Sequence, residues 1–269
     1  MRVGLVQINS QEDRHRNVAR AVELIGQAAA QGAQLIALPE YTTFLGRSEV
    51  QSQHVEAIDG ETAQAFAAAA KRHNVWIHGG SLIERSGQPH KNYNTSLVFN
   101  PDGERVAMYR KIHLFDVDIA PGSYRESDSL IPGEDIVTTD INGVRLGLTI
   151  CFDVRFPELY RTLALAGAKI IAVPAAFTAF TGKDHWEVLL RARAIENQCY
   201  IIAPAQWGEH PVGRMCYGRS MIINPWGTVI AQAADGEGVV VANLDMTDLE
   251  RIRTAVPSLA NRRPSVYAQ

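Results

Sequence analysis

The chain is predicted to fold as an α/β protein in four layers, an α-β-β-α sandwich of two mixed sheets packed face to face with helices outside. Three observations carry that prediction. Apolar runs of strand length alternate with stretches of helical period from the first residues onward. The second half of the chain repeats the logic of the first. In each half, amphipathic helices bracket the strands on one side, which leaves the opposite face of each sheet to be covered by the other sheet.

Val3 to Ile8 reads as a buried strand, Val18, Val22, Ile25 and Ala29 recur at helical spacing, and Leu35 to Leu38 is a second apolar run, giving a β-α-β start. Glu61 to Arg72 is Ala-rich and helical with Phe66 on its inner face, and a strand from Val75 to Ile83 follows. Asn94 to Phe99 and Arg105 to Tyr109 form a hairpin across Asn100-Pro101-Asp102-Gly103, adding antiparallel members to the sheet. The second half runs as strand Val144 to Ile150, helix Pro157 to Ala166, strand Lys169 to Val173, helix Lys183 to Asn197 and strand Cys199 to Ala203. A second hairpin, Arg219 to Asn224 and Thr228 to Gln232, turns on Pro225-Trp226-Gly227. A last strand near Val239 to Leu244 and a helix from Thr247 to Ala255 close the pattern.

No Gly/Ser- or Pro-rich linker divides this order, so residues 1–269 are expected to form one domain. The tail, about 257–269, contains Asn261 to Tyr267 without periodicity and is expected to dock on the body or on a neighbouring subunit. His113 to Asp135 is the longest irregular stretch, and loops of that length are often functional. A formal charge of -3, with no basic run or aromatic-interleaved stripe, offers no footprint for nucleic acid or an anionic membrane. The N-terminus enters an apolar strand at once without a long leader-like run, and no apolar run reaches membrane-spanning length. Three cysteines are too few for a disulfide framework, so a soluble protein of a reducing compartment, the cytoplasm, is expected.

Cys151 stands out among the candidate chemical groups. The apolar run Val144 to Ile150 delivers it onto a turn before the helix-opening Pro157, where unpaired backbone N–H groups face a developing oxyanion. Its ordinary pKa of about 8.5 means that a nucleophile here needs partners. Cys199, read as mid-strand, and Cys216, read as part of a Gly-rich loop, lack that context and are taken as structural. Glu40 follows Leu38-Pro39 at the end of a buried strand, where partial burial suits a carboxyl for proton transfer. Lys111 ends a hairpin strand. His113, Asp116 and Asp118 match no standard zinc or calcium spacing, so no metal is expected.

Taken together, Leu38-Pro39-Glu40, Tyr109-Arg110-Lys111-Ile112-His113-Leu114 and Ile150-Cys151-Phe152-Asp153-Val154-Arg155-Phe156-Pro157-Glu158 resemble, in order and spacing, the nitrilase superfamily of carbon-nitrogen hydrolases. The resemblance extends to Asn224-Pro225-Trp226-Gly227, Arg191 to Asn197 and Arg262-Arg263-Pro264. It implies a Glu-Lys-Cys triad at Glu40, Lys111 and Cys151 on a nitrilase-like fold that usually dimerises, hence a homodimer or higher homo-oligomer. Tyr109 to Asp118 and Thr181 to Glu187 are similar to the Nit branch of ω-amidases and deaminated glutathione amidases. The run His185 to Glu196, followed by Gln198-Cys199-Tyr200, leans toward the latter, whereas the loop Ile119 to Arg125 departs from the branch's usual sequence.

The chemistry so implied is acyl transfer on a small carboxamide. Glu40 takes the Cys151 proton, the thiolate attacks, and Lys111 with the Phe152 N–H stabilises the oxyanion; Lys111 also favours the thiolate. A protonated Glu40 releases ammonia, and water then hydrolyses the acyl thioester. Glu126 matches a second glutamate that positions substrate and Lys111. The fork of Arg155 suits a substrate carboxylate, selecting ω-amides of dicarboxylic acids. Phe177 and Thr181, placed in the loop after strand Lys169 to Val173, correspond to substrate-contact positions of the branch. No cofactor is expected, since neither a glycine-rich phosphate loop nor a Cys/His cluster is present. A nitrile hydrolase and a catalytically silent binding protein on the same fold are the alternative readings.

Overall fold

Alternation along the first strand, β1 (Arg2–Gln7), sets the layering. Val3 and Leu5 enter one buried cluster with Leu146 and Leu148 from the distant second half, whereas Val6 packs among Leu24, Ile25 and Ala28 of helix α1 (Arg14–Ala30). Side chains on a strand point to opposite faces in turn, so one face of this sheet meets the other sheet and one meets helices. Gly4 lies on the helix face, and a Cβ there would stand 3.0 Å from that of Ala28, so its absence lets α1 lie close. Asp13 caps α1 by accepting the Arg16 N–H. The computed structural model describes residues 1–119 and 122–267.

The chain continues through β2 (Leu35–Ala37), the single turn α2 (Ser48–Gln51), helix α3 (Glu61–His73), β3 (Trp76–His78), β4 (Leu82–Arg85), β5 (Asn92–Phe99) and β6 (Arg105–Arg110). Phe66 of α3 is buried as expected. The single strand expected over Val75 to Ile83 is instead two, because Gly79-Gly80 turns the chain. Gly80 holds φ +64° with Pro39 O where a Cβ would be, a backbone state that glycine alone adopts without strain. The stretch His113 to Asp135 also carries more structure than expected: a small hairpin of β7 (Asp116–Ile119) and β8 (Gly122–Arg125), then one 3₁₀ turn over Glu126–Asp128. Of the divergent loop, Ala120 and Pro121 lie outside the described residues.

The second half adds β9 (Thr138–Ile141), β10 (Val144–Leu148), α4 (Pro157–Leu165), β11 (Ile170–Ala172), α5 (Ala179–Asn197) and β12 (Tyr200–Ala203). It continues with β13 (Trp207–His210), β14 (Arg214–Tyr217), β15 (Met221–Ile223), β16 (Val229–Gln232), β17 (Gly238–Asn243) and α6 (Met246–Ala255). The second sheet has the order β16-β15-β12-β11-β10-β9. The first has β17-β1-β2-β3-β5-β4 with β6 also on β5, so the last strand returns to pair with the first, Val3 opposite Ala242. Gly147 faces Leu163 of α4, which turns Leu146 and Leu148 toward the other sheet.

Three local expectations change. Helix α5 begins four positions before Lys183 and passes through Gly182, whose missing side chain admits the Tyr217 ring of β14. Thr181 therefore sits in the first turn of a helix and not in a loop. Cys199 precedes β12, and Cys216 lies within β14. The tail is largely exposed over 257–266 and ends in a short turn of helix, α7 (Pro264–Tyr267), with its last two residues outside the described ones.

Candidate active site

Three strand ends converge at the carboxyl-terminal edge of the sheets. Beyond β2, Pro39 ends the ladder and Glu40 turns inward, 1% exposed. Beyond β6, Lys111 is held by its own backbone, its N–H donating to Asn94 O while its carbonyl accepts from Gly133 N–H. Beyond β10, Cys151 opens a 3₁₀ turn (Cys151–Arg155) in the left-handed region at φ +46°. A side-chain-bearing residue rarely takes that conformation, and such strain persists only where the surroundings dictate it.

The charges meet at Lys111. Its Nζ lies 2.8 Å from Glu40 Oε1 and 2.8 Å from Glu126 Oε2, with Glu126 Oε1 at 3.1 Å. Burial opposes the Lys111 charge, but Glu126 and then Glu40 outweigh it and hold the ammonium well above its ordinary value. Burial likewise opposes the Glu126 charge, yet Lys111, the Phe115 N–H and the Tyr41 hydroxyl bring its carboxyl below the usual range. Glu40 is oriented by two further donors, Asn94 Nδ2 on Oε1 and the Ala176 N–H on Oε2, each at 2.9 Å.

At Cys151, burial followed by the Glu40 charge pushes the thiol well up, against the pull of Lys111. Lys111 pulls toward the thiolate, but the dry pocket and the adjacent carboxylate outweigh that pull and keep the proton on sulfur. Cys151 donates its own N–H to Pro174 O at 2.8 Å. Cys199 and Cys216 are buried, with thiols pushed to about 11 and about 12 by burial.

The pocket above Cys151 is lined by Lys111, Glu126, Phe152, Phe177 and Thr181, which the sequence reading had singled out. Arg155 does not line it. Its guanidinium lies behind the wall, 5.8 Å from the Phe152 ring centre and 5.2 Å from that of Phe177, half-buried, with His185 Nδ1 at 3.3 Å and no carboxylate partner among the described residues.

The sequence reading missed four groups. Asn94 and Tyr41 orient the two glutamates, Tyr41 through a 2.8 Å bond to Glu126. Arg214 lines the pocket from β14. Asp153, fully buried, accepts from Ile150 N–H at 2.7 Å, Tyr109 hydroxyl at 2.6 Å and His113 N–H at 3.1 Å, with His113 Nδ1 at 2.7 Å. It ties the cysteine turn to the strand that ends at Lys111. Of the groups weighed for metal binding, His113 is engaged there, Asp116 accepts the Ser127 N–H and Asp118 pairs with Arg125. Among the described residues no helix is long and apolar enough to cross a membrane.

The carbon-nitrogen hydrolase family model matches residues 2–254. The chain is 44% identical to a deaminated glutathione amidase of Synechocystis over 262 residues, which is 96% of each chain. It is 38% identical to human omega-amidase NIT2, covering 99% of this chain and 96% of that one. Its fold superposes on the NitFhit protein of C. elegans with a TM-score of 0.90 at 35% identity, across 99% of this chain and 66% of the other. The chain therefore belongs to the carbon-nitrogen hydrolase family, in the Nit branch of the nitrilase superfamily.

Proposed function

We propose that the protein is a thiol-dependent amidase acting on the ω-amide of a small dicarboxylic acid, deaminated glutathione included. The observation that carries this reading is one ammonium, Lys111, held between two buried carboxylates beside Cys151, which lines a pocket. Relatives named as amidases support amide over nitrile chemistry.

The Lys111 ammonium has three protons. Glu40 Oε1 and both oxygens of Glu126 accept from it, and the longest of these bonds, to Glu126 Oε1 at 3.1 Å, is the one that yields to a carbonyl oxygen entering over Cys151. As the carbonyl carbon approaches, the thiol proton passes to Glu40 and the sulfur bonds to carbon. The negative oxygen is met by Lys111 and the Phe152 N–H, each such donor supplying roughly 3 kcal/mol. Glu40 returns its proton to the leaving nitrogen and the C–N bond breaks. A primary amide releases ammonia; a secondary amide such as deaminated glutathione releases an amine. Water, deprotonated by Glu40, attacks the thioester carbon, and the acid leaves as the thiol regains its proton.

Arg155 supports a carboxylate on the acyl part. It is a half-buried cation without a counter-charge, within the influence of Cys151, and its planar fork matches a carboxylate. Phe177 and Thr181 supply the wall and a hydroxyl. Glu126 positions Lys111. We read residues 1–269 as one domain and the protein as cytoplasmic, supported by three unpaired thiols. A homodimer fits the apolar residues Phe180, Val188 and Ile195 exposed along α5 beside Trp226, and the exposed tail suits a neighbouring subunit.

The test is a panel of dicarboxylic ω-amides, matched nitriles and deaminated glutathione, read as ammonia or amine release by wild type and Cys151→Ala. Hydrolysis of the carboxylate-bearing amides, lost in the folded variant, is expected. Preferential nitrile turnover would move the reading to a nitrilase, and no turnover of either would leave a silent binding protein.

A further inference from the structure

We propose that Arg214 is a specificity-determining residue that binds a carboxylate on the leaving-group side of the scissile amide. The proposal rests on the amidase reading, whose substrate deaminated glutathione carries such a carboxylate on its amine portion, and assigns that group its partner.

Space is the first argument. In this state the cavity directly over Cys151 measures ≈ 10 Å³, room for about one water. A substrate must therefore extend into what adjoins it. A second cavity of ≈ 160 Å³ does so, and Arg214, Phe115 and Glu126 line both. Its walls combine apolar Phe44 and Leu45 with polar Gln51 and Ser129, a surface suited to a short peptide-like amine.

Charge is the second. Arg214 stands at the start of β14 with its guanidinium 5.4 Å from the Tyr124 ring centre. Its Nε is buried without a hydrogen-bond partner, and no carboxylate among the described residues pairs with it. A buried donor left empty is costly unless something fills it. The other arginine of that cavity, Arg125, is already held by both oxygens of Asp118 at 2.8 Å. Glu126 and Glu40 act on Arg214 from a distance, so it is positioned at the site's edge without being consumed by it.

Position is the third. Arg155 lies behind Phe152 and Phe177, whereas Arg214 lies where the two cavities join. Arg214 is thus the arginine that opens onto the cysteine pocket, on the side where the amine part of the amide extends.

The experiment compares three amides sharing the glutaryl acyl group: the primary amide, the N-propyl amide and the amide of glycylglycine. Steady-state kcat/KM is measured for wild type and Arg214→Gln. The loss on the glycylglycine amide is expected to exceed that on the other two by tenfold or more, chiefly in KM. Equal losses on all three would overturn the proposal and make Arg214 a counter-charge for Glu40 and Glu126. Should wild type hydrolyse none of them, the amidase reading falls. Calorimetric binding of the glycylglycine amide to Cys151→Ser, with and without Arg214→Gln, then still decides the subsite: unchanged binding rejects it and a tenfold weakening upholds it.

Discussion

Asp153 Oδ1 meets His113 twice, at 2.7 Å through the ring and 3.1 Å through the backbone, although the two residues are forty positions apart. The other oxygen of Asp153 accepts the N–H of Ile150, immediately before the nucleophile. A single buried carboxylate thus sets the spacing between the cysteine turn and the segment that follows Lys111.

Asp153→Asn places an amide NH₂ among donors and breaks that spacing. Misplacing reacting groups by about 1 Å costs about 100-fold in rate. We expect kcat to fall by that order with KM little changed, and stability to fall by about 2–3 kcal/mol, because buried donors lose a charged acceptor. Unchanged kinetics in stopped assays, alongside urea unfolding, would reject the clamp.

Glu126→Gln removes one of the two carboxylates holding Lys111. The ammonium keeps Glu40 but loses its fixed direction. A fall in kcat of about 10–100-fold is expected, smaller than the near-complete loss for Glu40→Gln, which deletes the proton acceptor itself. Equal losses in the two variants would mean that Glu126 takes part in proton transfer.

Arg155→Lys replaces a planar fork with a point charge. On ω-amides bearing an acyl carboxylate, kcat/KM should fall about 30-fold, roughly 2 kcal/mol, while neutral amides lose far less. Since the guanidinium lies behind Phe152 and Phe177, this outcome requires those rings to move as substrate binds. Equal losses on both substrate types would remove Arg155 from recognition.

His78 is buried with no partner for Nε2, and burial pushes its pKa down to about 4. The unfolded chain, titrating near 6.5, then binds more protons than the folded one as pH falls below that value. Stability contributed by neutral His78 is full above pH 6.5 and declines toward pH 4, by about 2 kcal/mol at pH 5. His210, also pushed to about 4 by burial, adds to the slope. Urea unfolding from pH 7 to 5 should show this decline, and His78→Gln should flatten it; an unaltered slope would contradict the assignment.

Much of this architecture was legible because periodicity reports burial directly: β1, β2 and the Cys151 strand appear within a residue or two of where apolar spacing puts them, and α1 covers the Val18 to Ala29 period but starts four residues earlier, at Arg14. Glu40, Lys111 and Cys151 were legible because each ends such a strand, where a charge or thiol stands out. The misses have other causes. Gly182 reads as a helix breaker until the Tyr217 ring is seen against it, which hid the first turn of α5 and the true place of Thr181. The Gly79-Gly80 dipeptide was a visible turn signal that the apolar run around it obscured. Asp153 and Asn94 owe their importance to partners forty or more positions away, which no local pattern carries. Arg214 lies in a Gly-flanked stretch that reads as loop, and its lack of an acidic partner exists only in three dimensions.

The central claim is that Cys151 carries the acyl group during turnover. Acid quenching of wild type in the first milliseconds of reaction with an ω-amide, followed by intact-mass measurement and peptide mapping, tests it directly. The account predicts one acyl adduct, found on the peptide containing Cys151 and absent from those of Cys199 and Cys216. An adduct on another residue, or full turnover by Cys151→Ala, would contradict it.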